Sequence, residues 1–127
     1  MMELKFYKCK VCGKIIVVLK ESGTPTICCG EVMQLLRPNT TDGDQEKHVP
    51  VITSDKNLVT VTIGETFHPM TPEHHIQWAI LQTTRGFQKK DFRTTDVPMA
   101  NFSLSPDERV VAAYIYCNLH DLWKVAV

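Results

Sequence analysis

The sequence predicts an all-β chain in two parts: a small metal-bound N-terminal domain over residues 1–37 and an antiparallel β-sandwich over residues 47–127, joined by a linker at 38–46. Three observations predict this. Four of the five cysteines lie within the first 29 residues, whereas all five histidines come later, beside the one remaining cysteine. The stretch Arg37-Pro-Asn-Thr-Thr-Asp-Gly-Asp-Gln-Glu46 separates the two groups; it is polar, holds Pro and Gly, and has neither helical nor strand periodicity. Beyond it, short β-type runs alternate with turn residues, and no internal repeat is present.

Ahead of the linker stand about 36 residues, fewer than the roughly 40 at which a hydrophobic core usually suffices without a cross-link. The cysteines supply one. In Cys9-x-x-Cys12 the turn points two sulfurs inward, and Cys28-Cys29 completes a set of four soft ligands suited to a tetrahedron. The second pair is adjacent, and consecutive side chains of an extended backbone point to opposite faces, so the chain must turn sharply there. Gly30 permits such a turn, and a strained, distorted tetrahedron is the expected result. Four thiolates suit zinc and iron alike, so spacing leaves a structural zinc ribbon and a redox iron both open.

After the linker, Leu58-Val-Thr-Val-Thr-Ile63 puts Val59, Val61 and Ile63 on one face of a strand. In His75 to Leu81, Ile76, Trp78 and Ile80 alternate in the same way. Arg109-Val-Val-Ala-Ala-Tyr-Ile-Tyr-Cys117 is apolar on both faces, as expected of a central strand. Gly64, Arg85-Gly86, Pro98 and Ser105-Pro-Asp107 punctuate these runs, a spacing that suggests a sandwich or barrel of about 80 residues.

The later ligand-type residues gather at strand ends. His68 and His74 lie in His68-Pro-Met-Thr-Pro-Glu-His74, whose two prolines exclude a regular helix and make an irregular loop. Cys117 and His120 close the long apolar strand at a spacing that lets a thiolate and an imidazole reach one ion. His48 opens a strand in Glu46-Lys-His-Val-Pro50. Any one of these histidines taken alone reads as a solvated or hydrogen-bonded side chain; four grouped at strand ends with an isolated cysteine point to a second metal site. His75 is left out, because after His74 it points to the opposite face of an extended segment.

Charge and composition narrow the partners. Lys plus Arg equals Asp plus Glu at 14 each, so there is no basic field to attract nucleic acid or an anionic membrane. The N-terminus lacks the apolar run of a signal peptide, and no later run approaches the ~18 apolar residues of a membrane span. A cytoplasmic location is expected, where clustered cysteines stay reduced and bind metal.

Taken together, Cys9-x-x-Cys12 with Cys28-Cys29, Glu46-Lys-His-Val-Pro50, His68-Pro-Met-Thr-x-x-His74 and Cys117-Asn-Leu-His120-x-Leu-Trp123 resemble the two-iron desulfoferrodoxin family of superoxide reductases over nearly the whole chain. The resemblance implies a rubredoxin- or desulforedoxin-like first domain with an Fe(Cys)4 centre on Cys9, Cys12, Cys28 and Cys29, in which zinc is an expected replacement on expression. It implies an immunoglobulin-like second domain with a mononuclear non-haem iron, His48, His68, His74 and His120 in the equatorial plane and Cys117 axial. The implied activity is one-electron reduction of superoxide to hydrogen peroxide without oxygen release. A rubredoxin-type donor would re-reduce the iron, the Fe(Cys)4 centre would be an auxiliary redox site, and the chain would form a homodimer.

By the same resemblance Lys47 attracts superoxide to the open iron position, and Glu46 is the carboxylate that occupies that position in the ferric resting state. In a straight strand Glu46 would share a face with His48 and Lys47 would point away, so both reach the iron only from a mobile loop. Two departures stand out. Asp121 follows His120 where the family often has glycine; if that position is left-handed, aspartate is among the less costly replacements. His75 stands where an aromatic residue is common and is a potential alternate ligand. Two other readings remain: a zinc-ribbon interaction module with incidental histidines, and an electron-transfer protein whose second metal is structural.

Overall fold

A computed structural model gives the structure of the chain and describes residues 3–41 and 43–127. The chain falls into two compact units, Met1–Arg37 and Pro38–Val127.

In the N-terminal unit, β1 (Phe6–Lys8) pairs antiparallel with β2 (Ile15–Val17); β3 (Ile27–Cys28) and β4 (Glu31–Val32) form a hairpin, and β5 (Gln34–Leu35) returns beside β1. Among its described residues only Phe6, Cys9 and Met33 are buried apolar side chains. That is too small a core to offset the entropy of ordering the segment, so a metal staple is a physical necessity for this unit.

The second unit begins with a short helix, α1 (Gln45–His48), followed by seven strands. β6 (Pro50–Asp55), β7 (Leu58–Ile63) and β10 (Met99–Ser103) form one sheet in the order β10-β7-β6. β8 (Ile76–Thr83), β9 (Gly86–Asp91), β11 (Val110–Cys117) and β12 (Asp121–Ala126) form the other, in the order β12-β11-β8-β9, and every pairing is antiparallel. Val59, Val61 and Ile63 of β7 and Phe102 of β10 pack against Leu81, Ile115, Cys117 and Trp123 of the facing sheet in one core. The result is an immunoglobulin-like β-sandwich. As expected, β11 is an interior strand, buried from Ala112 to Cys117.

Two local expectations differ. Ile76, Trp78 and Ile80 do not share a face: Ile76 joins the inter-sheet core with Ala79 and Leu81. The register explains this, since Tyr116 pairs with Trp78 but Cys117 pairs with Ile76, leaving Gln77 as an extra residue in a β-bulge that re-aims Ile76. Nor does His48 open a strand. It ends α1, whose start at Gln45 lies inside the segment read as irregular. The Asp44 carboxylate accepts from the Glu46 amide at 3.0 Å and caps a helix too short to show periodicity in the sequence.

The antiparallel alternation places the starts of β6, β8 and β12 and the ends of β7 and β11 at one end of the sandwich. His48, His68, His74, Cys117 and His120 all belong to the segments gathered at that end.

Candidate metal centres

In the N-terminal unit the four cysteine sulfurs lie within 4.8 Å of one another. The Cys9–Cys12 turn is closed by the Gly13 amide donating to the Cys9 carbonyl and the Cys9 amide donating to the Lys14 carbonyl, each at 2.9 Å. The adjacent pair solves its directional problem by a turn. Cys28 ends β3 and pairs with Glu31 across the hairpin, while Cys29 (φ 53°) and Gly30 (φ 75°) both take the left-handed conformation of a type I′ turn. Strain therefore resides in the backbone of Cys29, a non-glycine residue in a region costing about 1–2 kcal/mol.

The sulfur positions suit one ion. Cys12 and Cys28 are 3.6 Å apart and Cys28 and Cys29 3.9 Å, whereas four sulfurs each ~2.3 Å from a central metal have tetrahedral edges of about 3.8 Å. Without a cation the crowd shares protons unevenly. The Cys12 amide and its neighbours bring Cys9 down to about 7, and the hydrogen bond with the Cys12 thiol, followed by that with Cys9, pushes Cys28 up to about 12. Four thiolates this close need a positive ion among them.

In the second unit the ligand-type atoms of His48, His74, Cys117 and His120 also lie within 4.8 Å of one another. His68 adjoins them, its Nε2 3.1 Å from His48 Nε2 and its ring centroid 4.5 Å from that of His74. His48 Nε2 is in turn 3.1 Å from His120 Nδ1, and Cys117 Sγ is 3.7 Å from the same nitrogen.

The protonation of the rings can be read from their backbone partners. His48 Nδ1 donates to the Asp44 carbonyl and His68 Nδ1 to the Pro69 carbonyl, each at 2.7 Å. A carbonyl only accepts, so both neutral rings carry their proton on Nδ1 and turn bare Nε2 lone pairs toward each other. Burial holds both rings in the neutral form: it lowers His48, and it lowers His68 to about 4, the carbonyl contacts opposing it in each case. Two lone pairs 3.1 Å apart repel unless a cation lies between them, and right-angled nitrogens each ~2.1 Å from an ion would be about 3.0 Å apart. His74 Nε2 adds a separate indication, being the one buried side-chain nitrogen or oxygen without a hydrogen-bond partner among the described residues.

Cys117 is fully buried, which pushes its thiol up, while the backbone amides of Leu119 and His120 favour the thiolate. Asn118, between those ligands, ties two ligand loops together. Its Oδ1 accepts from the His75 amide at 2.8 Å and its Nδ2 donates to the Glu73 carbonyl at 2.9 Å, so the Cys117–His120 turn and the His74 loop are one clamped structure. Trp123 anchors the far end, its indole donating to the His120 carbonyl at 3.0 Å and its ring centroid 4.8 Å from that of His48. The Thr41 hydroxyl donates to the same carbonyl. His75 turns to its own loop, with Nδ1 3.0 Å from the Thr71 carbonyl, and stands outside the ligand group.

The helix reverses the geometry expected for Glu46 and Lys47. At ~100° per residue Glu46 lies on the side of α1 away from His48, and Lys47 lies nearer to it. Lys47 is close enough for its charge to join burial, His120 and His75 in lowering His74. Glu46 is exposed and lines a cavity of about 480 Å3 with Val49, Ile52, Glu65 and Val125. α1 is held rather than loose: the Thr66 amide donates to the Glu46 carbonyl at 3.1 Å, and Gly64 (φ 85°) packs so closely that an added Cβ would fall 2.7 Å from Lys47 Cα. Asn118, Asp44 and Gly64 are the functional positions that the sequence reading missed. Asn118 was visible inside the Cys-Asn-Leu-His motif, and Asp44 as a capping residue; Gly64 gave no signal beyond that of a turn.

The family model described as Desulfoferrodoxin matches residues 40–126, and that described as Desulfoferrodoxin, N-terminal domain, matches residues 2–36. The chain belongs to the desulfoferrodoxin family. A desulfoferrodoxin from Nitratidesulfovibrio vulgaris is 43% identical over 122 residues, 96% of this chain and 95% of the relative. The superoxide reductase from Treponema pallidum, known from a crystal structure, superposes with a TM-score of 0.82 at 35% identity, covering 98% of this chain and 99% of that one. A protein named superoxide reductase from Pyrococcus abyssi is 33% identical over 109 residues, 71% of this chain and 95% of the relative. The two ligand sets of this chain fit the two iron ions of the family, one held by sulfur alone and one by imidazoles and a single sulfur.

Proposed function

We propose that the chain is a superoxide reductase whose catalytic centre is held by His48, His68, His74, His120 and Cys117. The observation that carries this reading is the group of inward-turned nitrogens around a buried sulfur, with His74 Nε2 lacking a hydrogen-bond partner among the described residues. An iron ion held by these five side chains would supply the one electron that superoxide accepts. Each superoxide takes up one electron and two protons to give hydrogen peroxide, and no oxygen is released.

The protein's part is positional and electrostatic. The carbonyls of Asp44 and Pro69 fix the tautomers of His48 and His68, and Asn118 fixes the His74 loop against the Cys117 turn. Burial pushes the Cys117 thiol up, and the Leu119 and His120 amides oppose it by favouring the thiolate. Lys47 places a cation beside His74 that draws an anion inward, an attraction that weakens with salt. Glu46 would be the family's carboxylate for the resting centre by resemblance alone, since it lies exposed on the side of the held helix α1 away from His48.

Cys9, Cys12, Cys28 and Cys29 hold the second electron site, an auxiliary centre. We assign a rubredoxin-type external donor, a homodimeric assembly, a cytoplasmic location and a role in detoxifying superoxide, all from family resemblance. Among the described residues no helix is long and apolar enough to cross a membrane. A catalytic amount of protein should consume superoxide continuously while a reductant is supplied and stop after at most one equivalent per reduced iron centre when it is not. Continued consumption without reductant would sink the proposal.

A further inference from the structure

Asp121 is a charged residue in a place that physical economy would give to glycine. Its φ is 61°, in the left-handed region where a side chain costs energy and glycine costs none. It directly follows His120 and, in the antiparallel register of β11 and β12, lies opposite Cys117. Paired residues of this kind have Cα atoms about 4.5–5.5 Å apart, so one aspartate adjoins two ligands of the second centre at once.

Its carboxylate is also held. The Tyr116 hydroxyl donates to Asp121 Oδ1 at 2.9 Å, and the Tyr116 ring is stacked on Trp78 with centroids 5.6 Å apart and planes 14° from parallel. Tyr116 and Trp78 are both buried, 3% and 9% exposed, so the hydroxyl that holds the carboxylate sits on a fixed platform.

We propose that Asp121 is a potential-setting residue of the second centre: its fixed negative charge, oriented by Tyr116, favours the more positive, oxidised state of the metal. The sign follows from electrostatics, because a nearby negative charge stabilises the ion of higher charge, lowers the reduction potential and makes the reduced centre a stronger donor to superoxide.

The inference rests on the reading of the second site as a redox iron, and the test separates the two. Redox titration of the iron-loaded protein, followed by the absorbance of each centre, is compared with Asp121→Asn and Asp121→Gly. Asparagine keeps the size and the left-handed tolerance of aspartate and removes only its charge. At a fixed solution potential the ratio of reduced to oxidised second centre should rise about tenfold in both variants, about 59 mV for a one-electron couple. The Fe(Cys)4 centre in the same molecule should not move. An unshifted second centre in Asp121→Asn, or equal shifts at both centres, overturns the inference and assigns Asp121 to the turn alone. A wild-type second centre with no one-electron transition overturns the reading beneath it.

Discussion

Replacing Asn118 with alanine should loosen the second centre while leaving the sandwich folded. The side chain makes two hydrogen bonds across loops, to the His75 amide at 2.8 Å and to the Glu73 carbonyl at 2.9 Å, and neither is duplicated by its own backbone contact, the Asn118 amide to the His75 carbonyl. Each lost bond costs about 0.5–1.5 kcal/mol, and an amide left without a partner costs about 1–3 kcal/mol where water is excluded. His75 is only half-buried, so the lower part of that range applies and the total is about 2–3 kcal/mol. At ~1.4 kcal/mol per tenfold, the clamped arrangement loses a factor of about 30–150. That agrees with the ~10–100-fold loss of metal affinity usual when an outer-shell partner is removed. Chelator competition followed by metal analysis should show second-centre affinity falling by this factor, with the four-cysteine centre unchanged and Asn118→Asp, which keeps the acceptor for His75, intermediate. Equal affinity in Asn118→Ala and wild type would refute the clamp, as would a parallel loss at the first centre.

Gly64→Ala puts a methyl group 2.4 Å from the Thr66 carbonyl oxygen and 2.7 Å from that of Glu46, at a backbone angle alanine resists. Chemical denaturation should show a loss of more than about 2 kcal/mol, and the salt dependence of the reaction with superoxide should change because α1 carries Lys47. Lys47→Ala should slow that reaction severalfold at low ionic strength and flatten its salt dependence; stopped-flow or pulse-radiolysis rates across salt concentrations check it. The metal-free protein should lose stability as pH falls from about 6.5 toward about 4. Burial holds His68 at about 4 against an ordinary 6.5, so the unfolded chain takes up its proton first. Urea unfolding at pH 7 and 5 should show this loss in wild type and less of it in His68→Gln.

The two ligand sets were legible because their residue types are rare and clustered, and the interior strand β11 because its apolar run exceeds what a half-exposed strand carries. What stayed hidden was set by backbone geometry. Cys28-Cys29 announced a turn without saying that Cys29 itself takes a positive φ. The bulge at Gln77 leaves no mark in an alternating pattern yet moves Ile76 to the opposite face. A helix of one turn, Gln45–His48, has no periodicity to read, and it decides which of Glu46 and Lys47 lies nearer the metal ligands. Asn118 was seen as part of a motif, but its work depends on the approach of residues 43 and 45 positions away in sequence. Asp121 takes the left-handed backbone, φ 61°, which the sequence left open.

The central claim is that the second centre reduces superoxide without oxidising any. The direct measurement adds superoxide to the anaerobically reduced protein and follows hydrogen peroxide, oxygen and the absorbance of the second centre together. One hydrogen peroxide for each centre oxidised, with no oxygen from the protein-catalysed reaction, is the predicted result. One oxygen for every hydrogen peroxide, the proportion of a dismutase, would contradict the account.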